Sequence, residues 1–143
     1  MAINGLSLVL NYKRTNTYAL NVLAGALDGA FDAPELEIVF AKNPEALVAA
    51  ISNALAERRK AVVGWSFCSP QFTECASELR MIRQQTGAAP VVHLAGGVHA
   101  TAEPEETLRA GFDLAAVGEG ERLIIDFVSR LIQGDDSRET KGI

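Results

Sequence analysis

Residues 91–107, VVHLAGGVHATAEPEET, hold both histidines of the chain, two adjacent glycines and three carboxylates. Histidine with glutamate can bind metal, but His93 and His99 stand six residues apart across a strand end, which is no recognised ligand spacing. Cys68 and Cys75 are the only cysteines, and their seven-residue separation fits neither a zinc nor an iron–sulfur pattern. Two histidines in one segment give no Ser/His/Asp order, and Cys68 has no base partner readable in the sequence. What remains is a rim of small groups: Gly64, Ser66, Gly96, Gly97, Gly118 and Gly120, in or just after three successive apolar runs. A glycine at a strand end either supplies a positive φ for a turn or lets backbone approach a bulky ligand closely. Three consecutive strand ends of this kind describe a slot, wide enough for the nucleotide tail of a large cofactor, with the Ser66 hydroxyl as hydrogen-bond partner.

The elements that position this rim alternate between two periods. Apolar runs at 6–10, 36–40, 61–65, 90–95 and 114–117 read as buried strands. Between them, Leu20, Leu23, Ala24 and Leu27 repeat at helical spacing, Pro44 opens a helix running to about Arg59, and Ser69-Pro70 opens one stopped by Gly87. Pro104 begins a short helix ended by Gly111, and Glu121 to about Gln133 forms the last. Five buried strands alternating with five helices require a parallel sheet covered on both faces. The expected architecture is α/β: a flavodoxin-like, doubly wound, five-stranded parallel sheet of order 2-1-3-4-5. Ligands of such sheets bind beyond the strands' carboxyl ends, where the order reverses. The loops there are 11–17, 66–70, 96–102 and 118–121.

Those loops and the totals exclude several occupants. A phosphorylation receiver needs acidic residues after the first strand, an aspartate after the third and a lysine after the fifth, where this chain has Asn11, Ser66 and Glu119. The first loop reads NYKRTN, neither GxGxxG nor a Walker loop. Its Lys13, Arg14 and Thr15 open the first helix, whose N–H groups and cations could hold a phosphate, whereas Glu103, Glu105, Glu106, Glu119 and Glu121 crowd the later helix starts. With 143 residues, 48% hydrophobic and 22% charged, the chain is one soluble globular domain, and a net charge of −5 argues against nucleic acid. No signal peptide is evident and no apolar run approaches a bilayer span, so the expected location is cytoplasmic and off the membrane.

The stretch GGVHATAEPEETLRAGFDLAAVGEGE, residues 96–121, resembles the cobalamin-binding domain that precedes the radical domain in cobalamin-dependent radical S-adenosylmethionine enzymes, which carry GGxHAT-x-x-PEE and a later GEGE turn. Ser66, Phe67 and Cys68 resemble that family's SxL element, 27 residues or so before its GG. The resemblance implies a cobalamin-binding domain over 1–133 and a linker over 134–143, leading to a C-terminal radical domain as partner. It implies cofactor contacts from Asn11, Lys13, Thr15, Ser66, Phe67, Cys68, Gly96, Gly97, His99, Thr101, Gly118, Glu119 and Gly120, with His99 and Thr101 near the corrin rim.

Two departures sharpen what it implies. Relatives that ligate cobalt from below use DxHxxG after the first strand, whereas Lys13 stands at the histidine position here, so no protein ligand on the lower cobalt face is expected. CxxxCxxC is missing, so the iron–sulfur cluster and S-adenosylmethionine belong only to the parent protein, for which methyl transfer or related radical chemistry is implied, and this chain is not catalytic alone. Two other readings stay open: a flavodoxin-like flavin or nucleotide binder using 13–17 as phosphate loop, and a docking domain with a vestigial site.

Overall fold

The computed structural model describes residues 5–32, 34–118 and 120–134. Parity sorts the core. Leu6, Leu8, Leu10, Val62, Leu94 and Leu114, all even-numbered, pack one face, while Val9, Val63, Trp65 and Ala95 pack the other. That alternation is the period of two of an extended chain. Strands β1 (Leu6–Asn11), β2 (Leu36–Ala41), β3 (Lys60–Ser66), β4 (Val91–Gly96) and β5 (Leu114–Ala115) form one sheet. Its order is β2-β1-β3-β4-β5, with every pairing parallel, as the sequence leads one to expect.

Helices α1 (Thr17–Asp28) and α6 (Gly120–Ile132) cover the even face. Leu20 and Leu27 of α1 are buried there, as are Leu123, Ile124, Phe127 and Val128 of α6. Helices α2 (Pro44–Ala56) and α3 (Phe72–Thr86) cover the odd face through Leu47, Ile51, Leu79 and Ile82. Local chemistry fixes their ends. The Asn43 side chain accepts from the Ala46 N–H at 2.8 Å, capping α2 just before Pro44. Lys60 Nζ donates to the Leu131 carbonyl at 2.6 Å, placing a cation on the C-terminal end of α6.

Helix α2 ends at Ala56, short of the expected Arg59, and the other departures from expectation lie at the carboxyl edge. Val98–Ala102, expected as loop, winds into one helical turn, α4, before α5 (Pro104–Arg109). Ser69–Gln71 forms a 3₁₀ turn ahead of α3 instead of its first turn. Strand β5 stops at Ala115 because its ladder with β4 reaches only Leu94 and Ala95, after which Gly118, at φ +99°, turns the chain. Residues 135–143, which hold nearly all of the expected linker, lie outside the described residues.

Candidate functional site

A cavity of about 340 Å³ opens at the carboxyl edge on the even face, where the chain leaves the paired strands β1 and β3 towards opposite faces of the sheet. Its floor is made by Leu8, Leu10, Gly64, Leu94 and Gly96. Leu20 and Leu23 of α1 form one wall, and Leu123 and Ile124 of α6 the other. The volume falls at the lower end of the ~300–1,000 Å³ typical of ligand pockets. Glycine keeps the floor low. A Cβ on Gly64 would stand 2.8 Å from Leu10 Cδ2, whereas a Cβ on Gly96 would make only ordinary contact, with Ala116 Cβ and the Trp65 carbonyl oxygen at 3.8 Å.

The strand ends around this slot are fastened to one another. Asn16 Nδ2 donates to the Asn11 carbonyl at 2.9 Å and to the Ser66 carbonyl at 3.0 Å, while Asn16 Oδ1 accepts from the Lys13 N–H at 2.8 Å. One buried amide thereby joins the β1–α1 loop to the end of β3. The Phe67 N–H donates to the Gly96 carbonyl at 3.3 Å, and the His99 N–H to the Phe67 carbonyl at 3.4 Å. Gly97, at φ +98°, lies so close to this strand end that a Cβ would sit 2.8 Å from the Phe67 carbonyl oxygen and 3.2 Å from Ser66 Oγ. Finally, Thr101 Oγ1 accepts from the Gly118 N–H at 3.2 Å and ties α4 to the turn before α6. The edge is therefore preorganised from β1 through β5.

Of the residues singled out in the sequence, Ser66, Gly96, Gly97, Gly118 and Gly120 line the slot. Asn11 is buried at the end of β1 and contributes its carbonyl to Asn16. Phe67 is buried on the opposite face against Phe72, His99 and Phe112, with ring centroids 5.4–5.9 Å apart. Cys68 is exposed. Glu119 lies outside the described residues. His99 does not line the slot. Its ring is buried, stacks on Phe72 at 4.2 Å, places Nδ1 2.9 Å from Ser69 Oγ and approaches Glu106 Oε1 to 2.9 Å through Nε2. The Glu106 contact has the closeness of an ion pair without the alignment of a hydrogen bond. His99 thus braces the loops behind the slot.

Lys13 and Thr15 border a separate groove with Arg14, Lys42, Gln71 and Glu74. The Lys13 ammonium is committed to Glu78 at 2.5 Å and Glu74 at 3.7 Å. Partial burial pulls the Lys13 pKa down, but the hydrogen bond and charge of Glu78, with Glu74, outweigh it and raise the group above its ordinary value. Lys13 is therefore a fixed cation facing α3. Burial, reinforced by the Glu78 charge, pushes the Cys75 thiol up to about 12, so it carries no thiolate chemistry at neutral pH. Among the described residues no cluster of three or more His, Cys, Asp and Glu side chains is placed to hold a metal ion.

Reasoning from the sequence missed Asn16 and the slot's helical walls. Asn16 stands where an N-cap is expected, yet makes no side-chain cap and spends its amide on the neighbouring strand ends. Leu23, Leu123 and Ile124 read as ordinary core, and only the adjacency of α1 and α6 reveals the gap between them. Tyr18, Val98 and Val117 are apolar and exposed at the same edge, Tyr18 to 83%.

No curated protein matches the chain. Among solved structures, the N-terminal domain of the hypothetical protein TM0182 of Thermotoga maritima is similar, at 32% identity and a TM-score of 0.44, over 54% of this chain and 57% of that one. The sequence model of the B12 binding domain matches residues 12–128, a span that runs from the β1–α1 loop into α6 and takes in most of the slot. The chain belongs to the B12-binding domain family.

Proposed function

We propose that this chain is the cobalamin-binding module of a cytoplasmic radical S-adenosylmethionine enzyme, presenting the corrin to a catalytic domain that carries the iron–sulfur cluster. The observation that carries the cofactor half of this reading is the narrow apolar slot on the even face, open at the switch point and floored by Gly64 and Gly96. It suits the benzimidazole tail of cobalamin, a flat heterocycle that needs depth and few polar partners. The paired stretches GGVHAT and GEGE support the radical-enzyme half.

The residues divide the work. Ser66 Oγ makes no hydrogen bond among the described residues and offers the tail one polar partner at the slot mouth. Tyr18 and Ala19 of α1 line the same mouth, and the first turn of that helix carries no carboxylate, so its free N–H groups suit the phosphate of the nucleotide loop. Tyr18, Val98 and Val117 provide the apolar rim on which the corrin would rest. Lys13, committed to Glu78, would not be available as a ligand to bound cobalamin. Bound cobalamin would supply the methyl-carrying or radical chemistry; this domain binds it, orients it and keeps water from the tail. The same Glu78 pairing removes the main cation of the phosphate loop that a flavin or nucleotide binder would use.

The test is incubation of the purified chain with hydroxocobalamin, followed by gel filtration. Corrin absorbance co-eluting with protein is expected. A colourless protein peak under both oxidising and reducing conditions would overturn the reading.

A further inference from the structure

The lining of the slot also limits which corrinoid it accepts, an inference that rests on the cobalamin reading above. Cobamides share one corrin and differ in the lower base, which is a benzimidazole in cobalamin and a purine in others. The two bases are similar in shape but not in polarity. A benzimidazole released from cobalt presents one free ring nitrogen. A purine adds further ring nitrogens and, in adenine, an exocyclic amine, each of which needs a partner once removed from water.

In its depth the slot has few partners to give, its loop glycines Gly97, Gly118 and Gly120 standing beyond the strand ladders. Leu8, Leu10, Leu94 and Ala116 line it from the sheet side, and Leu20 and Ile124 from the helices. The strand backbones beneath it are paired with each other in the parallel ladders of β1, β3 and β4. Beyond their first turns at the mouth, those of the walls are engaged within α1 and α6. The polar side chains that line the cavity are Ser66, Tyr18 and Glu121, and Tyr18 and Glu121 are both exposed at the mouth. One hydroxyl matches one ring nitrogen; it does not match a purine edge.

We infer that this slot is a selectivity filter for cobamides with an apolar, benzimidazole-type lower base, and that it discriminates against purine cobamides. Leaving even one purine polar group unpaired in the apolar interior is enough to weaken binding about tenfold.

The experiment compares the affinity of the purified chain for three probes: cobalamin, adeninylcobamide and cobinamide, which lacks the nucleotide tail. The expected order is cobalamin first, adeninylcobamide tenfold or more weaker, and cobinamide weaker than cobalamin. Adeninylcobamide binding as tightly as cobalamin would overturn the inference while leaving the corrinoid reading intact. Cobinamide matching cobalamin would also overturn it, because the base would then contribute nothing. If none of the three binds, the cofactor reading itself fails and the selectivity falls with it.

Discussion

Adjacent glycines at the end of β4 do different jobs, and substituting each separates site from scaffold. Gly96 has ordinary backbone geometry, and a Cβ there would meet only Ala116 Cβ and the Trp65 carbonyl oxygen, both at 3.8 Å. Gly96→Ala should therefore fold normally and gain about 0.4–1 kcal/mol from a less flexible unfolded chain. Gly96→Val puts three carbons into a cavity of about 340 Å³ whose floor that glycine forms. Overfilling a fitted site of this kind costs about 1–3 kcal/mol, so cobalamin should bind roughly 5- to 150-fold more weakly with the fold intact. Gly97→Ala acts on the scaffold instead. Its φ of +98° and the 2.8 Å approach of a Cβ to the Phe67 carbonyl oxygen oblige the turn to shift, lowering stability by about 1–3 kcal/mol. Thermal melts by circular dichroism, paired with hydroxocobalamin titrations followed in the visible, read both effects. If Gly96→Val is folded and binds cobalamin as tightly as the parent, the tail does not enter the slot and the reasoning fails.

Other expectations follow from groups around the site. Trp65 Nε1 donates to His93 Nδ1 at 3.1 Å, and burial, helped by the Arg83 charge and opposed by Asp113, pulls His93 down from 6.5 to about 4. Protons then bind the unfolded chain in preference, so this contribution is complete above pH ~6.5 and is lost as the pH falls towards ~4, on the order of 3 kcal/mol in all. Urea unfolding at pH 7.5 and 5 should show about 2 kcal/mol of this loss, and His93→Gln should flatten it; an equal acid slope in the variant would contradict the assignment. Asn16→Ala removes three hydrogen bonds, to the ends of β1 and β3 and within the β1–α1 loop, and should cost about 1–3 kcal/mol, with faster amide exchange in loops 11–17 and 66–70; unchanged exchange would count against the brace. Of the two thiols, Cys68 should react readily with a disulfide reagent and Cys75 only on unfolding, read as the stepwise release of chromophore.

Much of this was legible in the sequence, for physical reasons that differ from element to element. Strand order follows from five apolar runs separated by helices, since right-handed crossovers leave few arrangements for parallel strands. The slot's floor showed in Gly64 and Gly96, because glycine in a strand interior or at its end demands a reason. Its walls did not show, because Leu23 or Ile124 facing a cavity looks identical in sequence to the same residue facing a core. His99 shows the reverse case: the sequence gives a histidine two residues after a glycine pair, and only the fold shows that the extra turn α4 sets its ring against Phe67 and Phe72. Lys13 reads as a free cation until the fold brings Glu78 of α3 beside it.

On the cobalamin reading, the cofactor's own base would occupy the apolar slot and no side chain of this domain would replace it at cobalt. Electron paramagnetic resonance of the protein loaded with cob(II)alamin reads this directly, because an axial nitrogen splits each cobalt line. A spectrum without nitrogen splitting is expected. Three-line splitting on the cobalt resonances, from the retained base or from a protein nitrogen, would contradict the account.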